Sequence, residues 1–251
     1  MIIDTHMHIY DDRYNDSRDE IVKKSLELGV GKMIASGVNY DTSLKCLELS
    51  KKYESVYATV GLYPEEVKDY QGDLDWIKEL VKNNKKIVGI GEIGLDYYWD
   101  DSFKDKQKEY FIKQIRIANE LGLPIVVHSR NAIQDTFDIL KENPTRGVIH
   151  CYGGSLEMAR EFIKLGYFLG IGGVVTFKNA KEIKRVVKEI DINYLLSETD
   201  SPYLTPHPYR GETNIPGYTK YVIEEIAKIK EMDVNEVEKI LENNAKRLFN
   251  I

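Results

Sequence analysis

Residues 124–171 read PIVVHSRNAIQDTFDILKENPTRGVIHCYGGSLEMAREFIKLGYFLGI. Apolar runs at Pro124–Val127, Gly147–His150 and Tyr167–Ile171 alternate with stretches at Ala132–Lys141 and Ser155–Leu165, whose apolar residues recur at helical spacing. A strand, a helix and a strand in succession demand parallel pairing, because the crossover carries the chain back to the same end of the sheet. The alternation continues on both sides. Strands are predicted at Met1–Thr5, Lys32–Gly37, Val56–Val60, Ile87–Gly91 and Tyr194–Ser197. Helices are predicted at Ser17–Leu28, Tyr40–Lys52, Leu74–Lys82, Phe103–Leu121, Ala180–Lys188, Tyr218–Ile229 and Val234–Leu248. Gly29, Gly122 and Gly166 each follow a helical stretch, where a left-handed cap is expected. Eight strands at this spacing in 251 residues predict an α/β fold, a single-domain (β/α)8 TIM barrel spanning 1–251. The competing arrangement is an open doubly wound or seven-stranded sheet, which requires Tyr167–Ile171 or Val56–Val60 not to be a strand.

Composition narrows the function classes. With 42% hydrophobic and 30% charged residues, 7 Pro and no fixed repeat, the chain is neither disordered nor collagen-like. The balance of 35 Lys+Arg against 41 Asp+Glu, a formal −6, excludes coating nucleic acid through bulk charge. A local basic pocket or a metal ion can still take a phosphate. Mean hydropathy is −0.40, and no apolar run approaches the roughly 18–20 residues that span a bilayer, so no membrane partner is expected. The opening MIIDTHMHIYDD lacks the basic-then-apolar pattern of a secretory leader. Two cysteines, Cys46 and Cys151, read as packed residues rather than a disulfide scaffold, which points to a cytoplasmic location.

Only five histidines are present, and His6, His8, His128 and His150 each fall at or just past the C-terminal end of a predicted strand. In a parallel barrel all those ends open onto one face. Glu92 after VGIG and Asp200 after LLSET occupy two more. Four imidazoles and two carboxylates converging on one mouth make a metal-ligand set. His6 and His8 are its most specific part, since residues i and i+2 of a strand face the same side about 6.5–7 Å apart, with Met7 turned into packing. His207, between two prolines, reads as a loop residue.

The segments DTHMH (4–8), GEIGLDYY (91–98), PIVVHSR (124–130), IHCYGG (149–154), TFKNA (176–180), ETDSPYL (198–204) and YRGETNIP (209–216) occur in this order. Together they resemble the TatD family of metal-dependent deoxyribonucleases, within the amidohydrolase superfamily, over nearly the whole chain. The resemblance implies two divalent cations. One would be held by His6, His8, Glu92 and Asp200, the other by Glu92, His128 and His150, with Glu92 bridging. It also implies hydrolysis of DNA phosphodiester bonds, with 3′ ends or single strands as substrate and no obligate protein partner. Where the family commonly has a histidine in a Gly-x-His-Pro segment, this chain has Gly61-Leu62-Tyr63-Pro64.

The expected chemistry is attack by a metal-activated water, with Asp200 and Glu92 as the catalytic carboxylates. Mixed imidazole and carboxylate donors favour Zn, Mn, Fe or Co over Mg on softness, whereas the family is usually described as magnesium-dependent. Arg130, two residues beyond His128, and Arg210, after the last strand, are the expected phosphate donors, with Lys178 a further candidate. Tyr63, Tyr97 and Tyr152 lie in mouth loops where rings can stack on bases. The same activated water attacks carbonyl carbon equally well. An amidase or ester deacylase, acting on an aminoacyl-nucleic acid for example, is therefore the competing enzyme, and a metal-dependent binding module the competing non-enzyme.

Overall fold

The computed structural model describes residues 1–251. Its strands are β1 (Ile2–Met7), β2 (Val30–Ser36), β3 (Val56–Val60), β4 (Ile87–Asp96), β5 (Ile125–Arg130), β6 (Gly147–Ile149), β7 (Phe168–Ile171) and β8 (Leu195–Ser197). The helices are α1 (Arg18–Glu27), α2 (Tyr40–Lys52), α3 (Asp75–Lys82), α4 (Lys104–Leu121), α5 (Ile133–Glu142), α6 (Leu156–Lys164), α7 (Lys181–Glu189), α8 (Thr219–Lys230) and α9 (Val234–Phe249). The strands neighbour one another in chain order, and every pairing is parallel. The eight-stranded barrel therefore stands, and the open-sheet alternative fails because both β3 and β7 form. Gly29, Gly122 and Gly166 all have positive φ at the helix ends, as their positions predicted. No helix is long and apolar enough to cross a membrane.

The seam between β8 and β1 is stitched by hydroxyls as well as backbone. Thr5 Oγ1 donates to the Ser197 carbonyl at 3.0 Å, and Ser197 Oγ donates to that of Ile3 at 3.1 Å. Past the end of β8, Asp200 N–H donates to His6 O and His8 N–H to Ser201 O. This continuation lays the Asp200 segment along the histidines of β1.

Several strand ends differ from expectation: β1 runs to Met7 rather than Thr5, β5 to Arg130 rather than Val127, and β4 departs most. β4 continues past Gly91 to Asp96, because Gly94, Leu95 and Asp96 still pair with His128, Ser129 and Arg130 of β5. The glycines of this stretch serve close approach. At Gly94 (φ +138°) a Cβ would lie 2.0 Å from the His128 carbonyl oxygen.

Apolar packing is layered. One cluster contains Ile3, Ile34, Val88, Val126, Val148, Phe168 and Leu196, each from a different strand, and Ala245, Leu248 and Phe249 of α9 close it. Two residues further along β2, β5, β6, β7 and β8, at the same side-chain parity, stand Ser36, His128, His150, Gly170 and Glu198. The strand parity that fills the N-terminal end of the barrel with hydrocarbon therefore delivers polar groups to its C-terminal mouth. A larger apolar shell, including Met7, Ile90, Val127, Ile149 and Ile171, joins the outer strand faces to the helices.

Candidate metal centre

His6, His8, Glu92, His128, His150 and Asp200 meet at the C-terminal mouth, as their strand positions predicted. Met7 between the first two is fully buried. His6 Nε2 and His8 Nε2 lie 3.3 Å apart. Glu92 Oε2 is 3.3 Å from His6 Nε2 and 3.6 Å from His8 Nε2, and Asp200 Oδ1 is 3.6 and 3.2 Å from the same two atoms. The other Glu92 oxygen turns the opposite way. Oε1 stands 3.1 Å from His128 Nδ1 and 3.0 Å from His150 Nε2, which are 3.4 Å from each other.

These separations suit a cation. The five edges of 3.2–3.6 Å that join the His6 and His8 nitrogens to each other and to the Glu92 and Asp200 oxygens are those of a tetrahedron whose centre lies about 2.0–2.2 Å from its corners, the bond lengths of zinc-like ions to nitrogen and oxygen. The second group is one face of a polyhedron of the same size. The ring partners decide which nitrogen points inward. His8 Nδ1 lies 3.1 Å from the Ser36 carbonyl, which can only accept, so neutral His8 presents a lone pair from Nε2. His6 Nδ1 meets Ser36 Oγ at 3.1 Å, and that hydroxyl also accepts from Thr59 Oγ1 at 3.0 Å. His128 uses Nε2 on Asp96 Oδ2 at 2.9 Å, leaving Nδ1 inward. His150 Nδ1 lies 3.4 Å from Glu198 Oε1, within ion-pair range but outside hydrogen-bond alignment. Lone pairs and carboxylate oxygens this close repel unless positive charge sits among them.

The electrostatics agree. Burial alone would depress His150, yet Glu92 and Glu198 outweigh it and hold the imidazole well above its ordinary range. His128 is raised, as Asp96 and Glu92 overcome burial, and His8 is raised by Asp200 and Glu92 in the same way. His6 is lowered by burial and by His150. Burial pushes Glu92 and Asp200 up, but neighbouring imidazoles pull both down, Glu92 well below the usual carboxylate range. The pocket stabilises positive charge, carried as protons or as cations.

Four residues that sequence reasoning passed over support this set. Asp96 and Glu198 back His128 and His150, and Ser36 backs His6 and His8. Asp4, fully buried, accepts from His6 N–H and from Thr199 N–H and Oγ1, fixing the residue before Asp200. Burial raises the Asp4 carboxyl well above its ordinary range. Parity was the available signal: Asp4 is two residues before His6, Glu198 two before Asp200, and Asp96 four after Glu92.

The residues expected to meet substrate are placed less uniformly. Arg130 is exposed, its guanidinium 3.6 Å from the centre of the Tyr98 ring. Arg210 is exposed and stands 3.7 Å over Phe177, and Lys178 is exposed with no ion pair. Tyr63 is half-buried, and its hydroxyl lies 3.1 Å from Asp96 Oδ2 and 3.0 Å from His128 Nε2, so it belongs to the backing of the histidine. Tyr152 corrects the expectation of a stacking ring. It is 3% exposed in the core and donates its hydroxyl to the Ser155 carbonyl, offering no face to a ligand. Tyr97 likewise spends its hydroxyl on Asp135 at 2.8 Å. Cys46 is buried, Cys151 joins none of the donor groups, and His207 lies in an exposed loop beside Phe177.

Known proteins share this arrangement of sequence and fold. YabD of Bacillus subtilis (strain 168), named an uncharacterized metal-dependent hydrolase, is 46% identical over 255 residues, covering 100% of each chain. MJ1582 of Methanocaldococcus jannaschii, named in the same words, is 40% identical over 248 residues, covering 98% of this chain and 96% of its own. The crystal structure of YjjV, a TatD homologue from Escherichia coli K12, superposes with a TM-score of 0.94 at 29% identity, covering 100% of this chain and 98% of that one. The family model described as TatD related DNase matches residues 3–250. The chain is a metal-dependent hydrolase and belongs to the TatD-related DNase family.

Proposed function

We propose that this chain hydrolyses phosphodiester bonds in DNA, using two divalent cations. The observation that carries the reading is the division of Glu92, with Oε2 among His6, His8 and Asp200 and Oε1 among His128 and His150. His6, His8, Glu92 and Asp200 would hold one cation; Glu92, His128 and His150 would hold the other. Cations held by these residues would supply an acidified water as nucleophile and polarisation of a phosphoryl oxygen.

The protein's own groups do the rest. Asp200 is the more open of the two central carboxylates, with a side chain 16% exposed against 4% for Glu92, and it serves as the base that takes the proton of the attacking water. It stands at φ +55°, a conformation uncommon for a residue with a side chain and held here by the Asp200 N–H to His6 O bond. Glu92 is more deeply buried and sets the spacing of the two donor groups. Arg130 and Arg210 present guanidinium edges at the rim for phosphate oxygens. The donor set suits Mn or Zn at least as well as Mg.

The test is cleavage of end-labelled single- and double-stranded DNA by metal-depleted protein, with each divalent cation restored in turn. Cation-dependent release of labelled nucleotide is expected. Failure to cut DNA with every cation, alongside metal-dependent turnover of carboxylic esters or amides, would assign the site to carbonyl substrates instead.

A further inference from the structure

Three arginines of the rim stand over aromatic rings: Arg13 at 4.3 Å from Tyr203, Arg210 at 3.7 Å from Phe177 and Arg130 at 3.6 Å from Tyr98. Arg13 is spent on Asp11 through two hydrogen bonds of 2.9 and 3.0 Å, whereas Arg210 and Arg130 pair with no carboxylate, and Arg130 is set apart by a second ring, that of Trp99 at 5.3 Å. Tyr98 and Trp99 are 51% and 64% exposed and meet edge to face at 4.9 Å. An indole left in water forgoes much of the burial an aromatic side chain can gain.

The segment carrying these rings is anchored on both sides. Tyr98 N–H donates to Asp96 Oδ1 at 2.9 Å, Tyr97 N–H to Arg130 O at 2.9 Å, and Asp100 pairs with Lys68 at 2.7 Å. Asp96 thus holds the platform backbone with one oxygen and the His128 ring with the other. Arg130 follows His128 by two residues on β5.

We propose that Tyr98, Trp99 and Arg130 form a stacking platform for an unpaired nucleobase of the strand whose phosphodiester enters the centre. The proposal rests on the nuclease reading above and names the form of substrate it takes. Every base has a π-face, so an indole accepts any of them, while a base inside a duplex has both faces covered by its neighbours. The Arg130 guanidinium, its carbon 3.6 Å from the centre of the Tyr98 ring and paired with no carboxylate, has its N–H donors available to a phosphate oxygen. The platform therefore selects a splayed or terminal nucleotide without reading its identity.

The test uses a short oligothymidylate and variants carrying one abasic residue at each position in turn, with full-length protein and saturating metal. For the wild type, the abasic residue is expected to raise KM about 5- to 150-fold at one or two positions, the span of a single base–aromatic stack. Trp99→Ala should remove that dependence, and Trp99→Phe should restore part of it. Trp99 emission gives a second readout without turnover, in an Asp200→Asn, Trp76→Phe background that leaves one indole. Quenching by the intact oligomer, and much less by the oligomer abasic at the sensitive position, is expected. Equal KM at every position with no quench would overturn the platform while leaving nuclease activity standing. Absence of cleavage of any oligomer would refute the nuclease reading, and the quench would still decide the platform.

Discussion

Replacing Asp96 by Asn tests how the second donor group is built. In the wild type, Oδ1 accepts from Tyr98 N–H at 2.9 Å, while Oδ2 faces His128 Nε2 at 2.9 Å and the Tyr63 hydroxyl at 3.1 Å. An amide can sit in this pocket two ways. If its oxygen keeps the Tyr98 N–H, its NH2 faces His128 and Tyr63. The Tyr63 hydroxyl can rotate to accept, but His128 accepts only through a bare Nε2, which moves the ring proton to Nδ1 and aims it at Glu92 Oε1, 3.1 Å away. The lone pair offered to a cation is then lost. If the amide turns over, its NH2 opposes the Tyr98 N–H, and an unsatisfied buried donor costs about 1–3 kcal/mol. The second arrangement caps the penalty of the first, so cation affinity cannot fall by more than that cost, about 5- to 150-fold. This range contains the 10- to 100-fold loss typical (roughly) when the outer partner of a ligating histidine is removed. Calorimetric titration of metal-depleted protein with Mn or Zn should show one of two binding steps weakened and the other within about threefold, the scatter expected of context-dependent contributions. Two unchanged steps with an unchanged melting temperature would show that Asp96 does not set the His128 tautomer. Loss of both steps would show that the two groups are not separately built.

Three further outcomes follow from the same geometry. Asp200→Asn should lower kcat by at least about 100-fold while substantial metal remains bound, read by steady-state kinetics and metal analysis, because a general base contributes about 10²–10⁴. Gly170→Ala should destabilise the fold by about 1–3 kcal/mol in urea titration, since overpacking is resisted when neighbours are fixed. Its Cβ would lie 2.3 Å from Glu198 Oε2 and 3.0 Å from His150 Cα, and an unchanged midpoint would mean that the Glu198 side chain moves freely. Chelation should lower the melting temperature reversibly. Cation present at about 100 times its Kd stabilises by about 2.7 kcal/mol, and a chelation-insensitive melt would argue against a shared cation in the folded state.

The barrel was legible because its signal is periodic and repeated, and an error in one strand leaves the others standing. Tyr40–Lys52 and Val56–Val60 form with the expected bounds because Asn39 caps α2 through Thr42 and short β-branched runs have clear ends. GEIGLD hid the length of β4, since glycines mark turns in a sequence but here admit the neighbouring backbone. The six donors were legible because strand ends converge in any parallel barrel. Their supports were not, because Asp96, Glu198 and Ser36 act through a histidine on another strand, and only the register shows which ring each one meets. Tyr152 failed for the same reason in reverse. A residue just past a strand can turn outward to water or inward to α6, and its sequence position does not choose.

If DNA is the substrate, as proposed above, a chain of net −6 has to accommodate a polyanion. Glu92, Asp96, Asp200 and Glu198 crowd the mouth, and alone they would repel a phosphodiester. The carboxylates raise His8, His128 and His150 above the ordinary imidazole range, the mark of a mouth that favours positive charge. A cation pair, once bound, would match the four carboxylates charge for charge and leave the mouth without net repulsion. The phosphate would then meet Arg130 and Arg210 on the rim, their guanidinium carbons 3.6 and 3.7 Å from the centres of the Tyr98 and Phe177 rings. On this account attraction of DNA is itself conditional on metal. Binding of a non-cleaved oligonucleotide by Asp200→Asn protein should strengthen when cation is added and weaken with salt, the latter with a shallow slope because few phosphates are neutralised. Metal-independent binding of equal strength would place the attraction elsewhere on the surface.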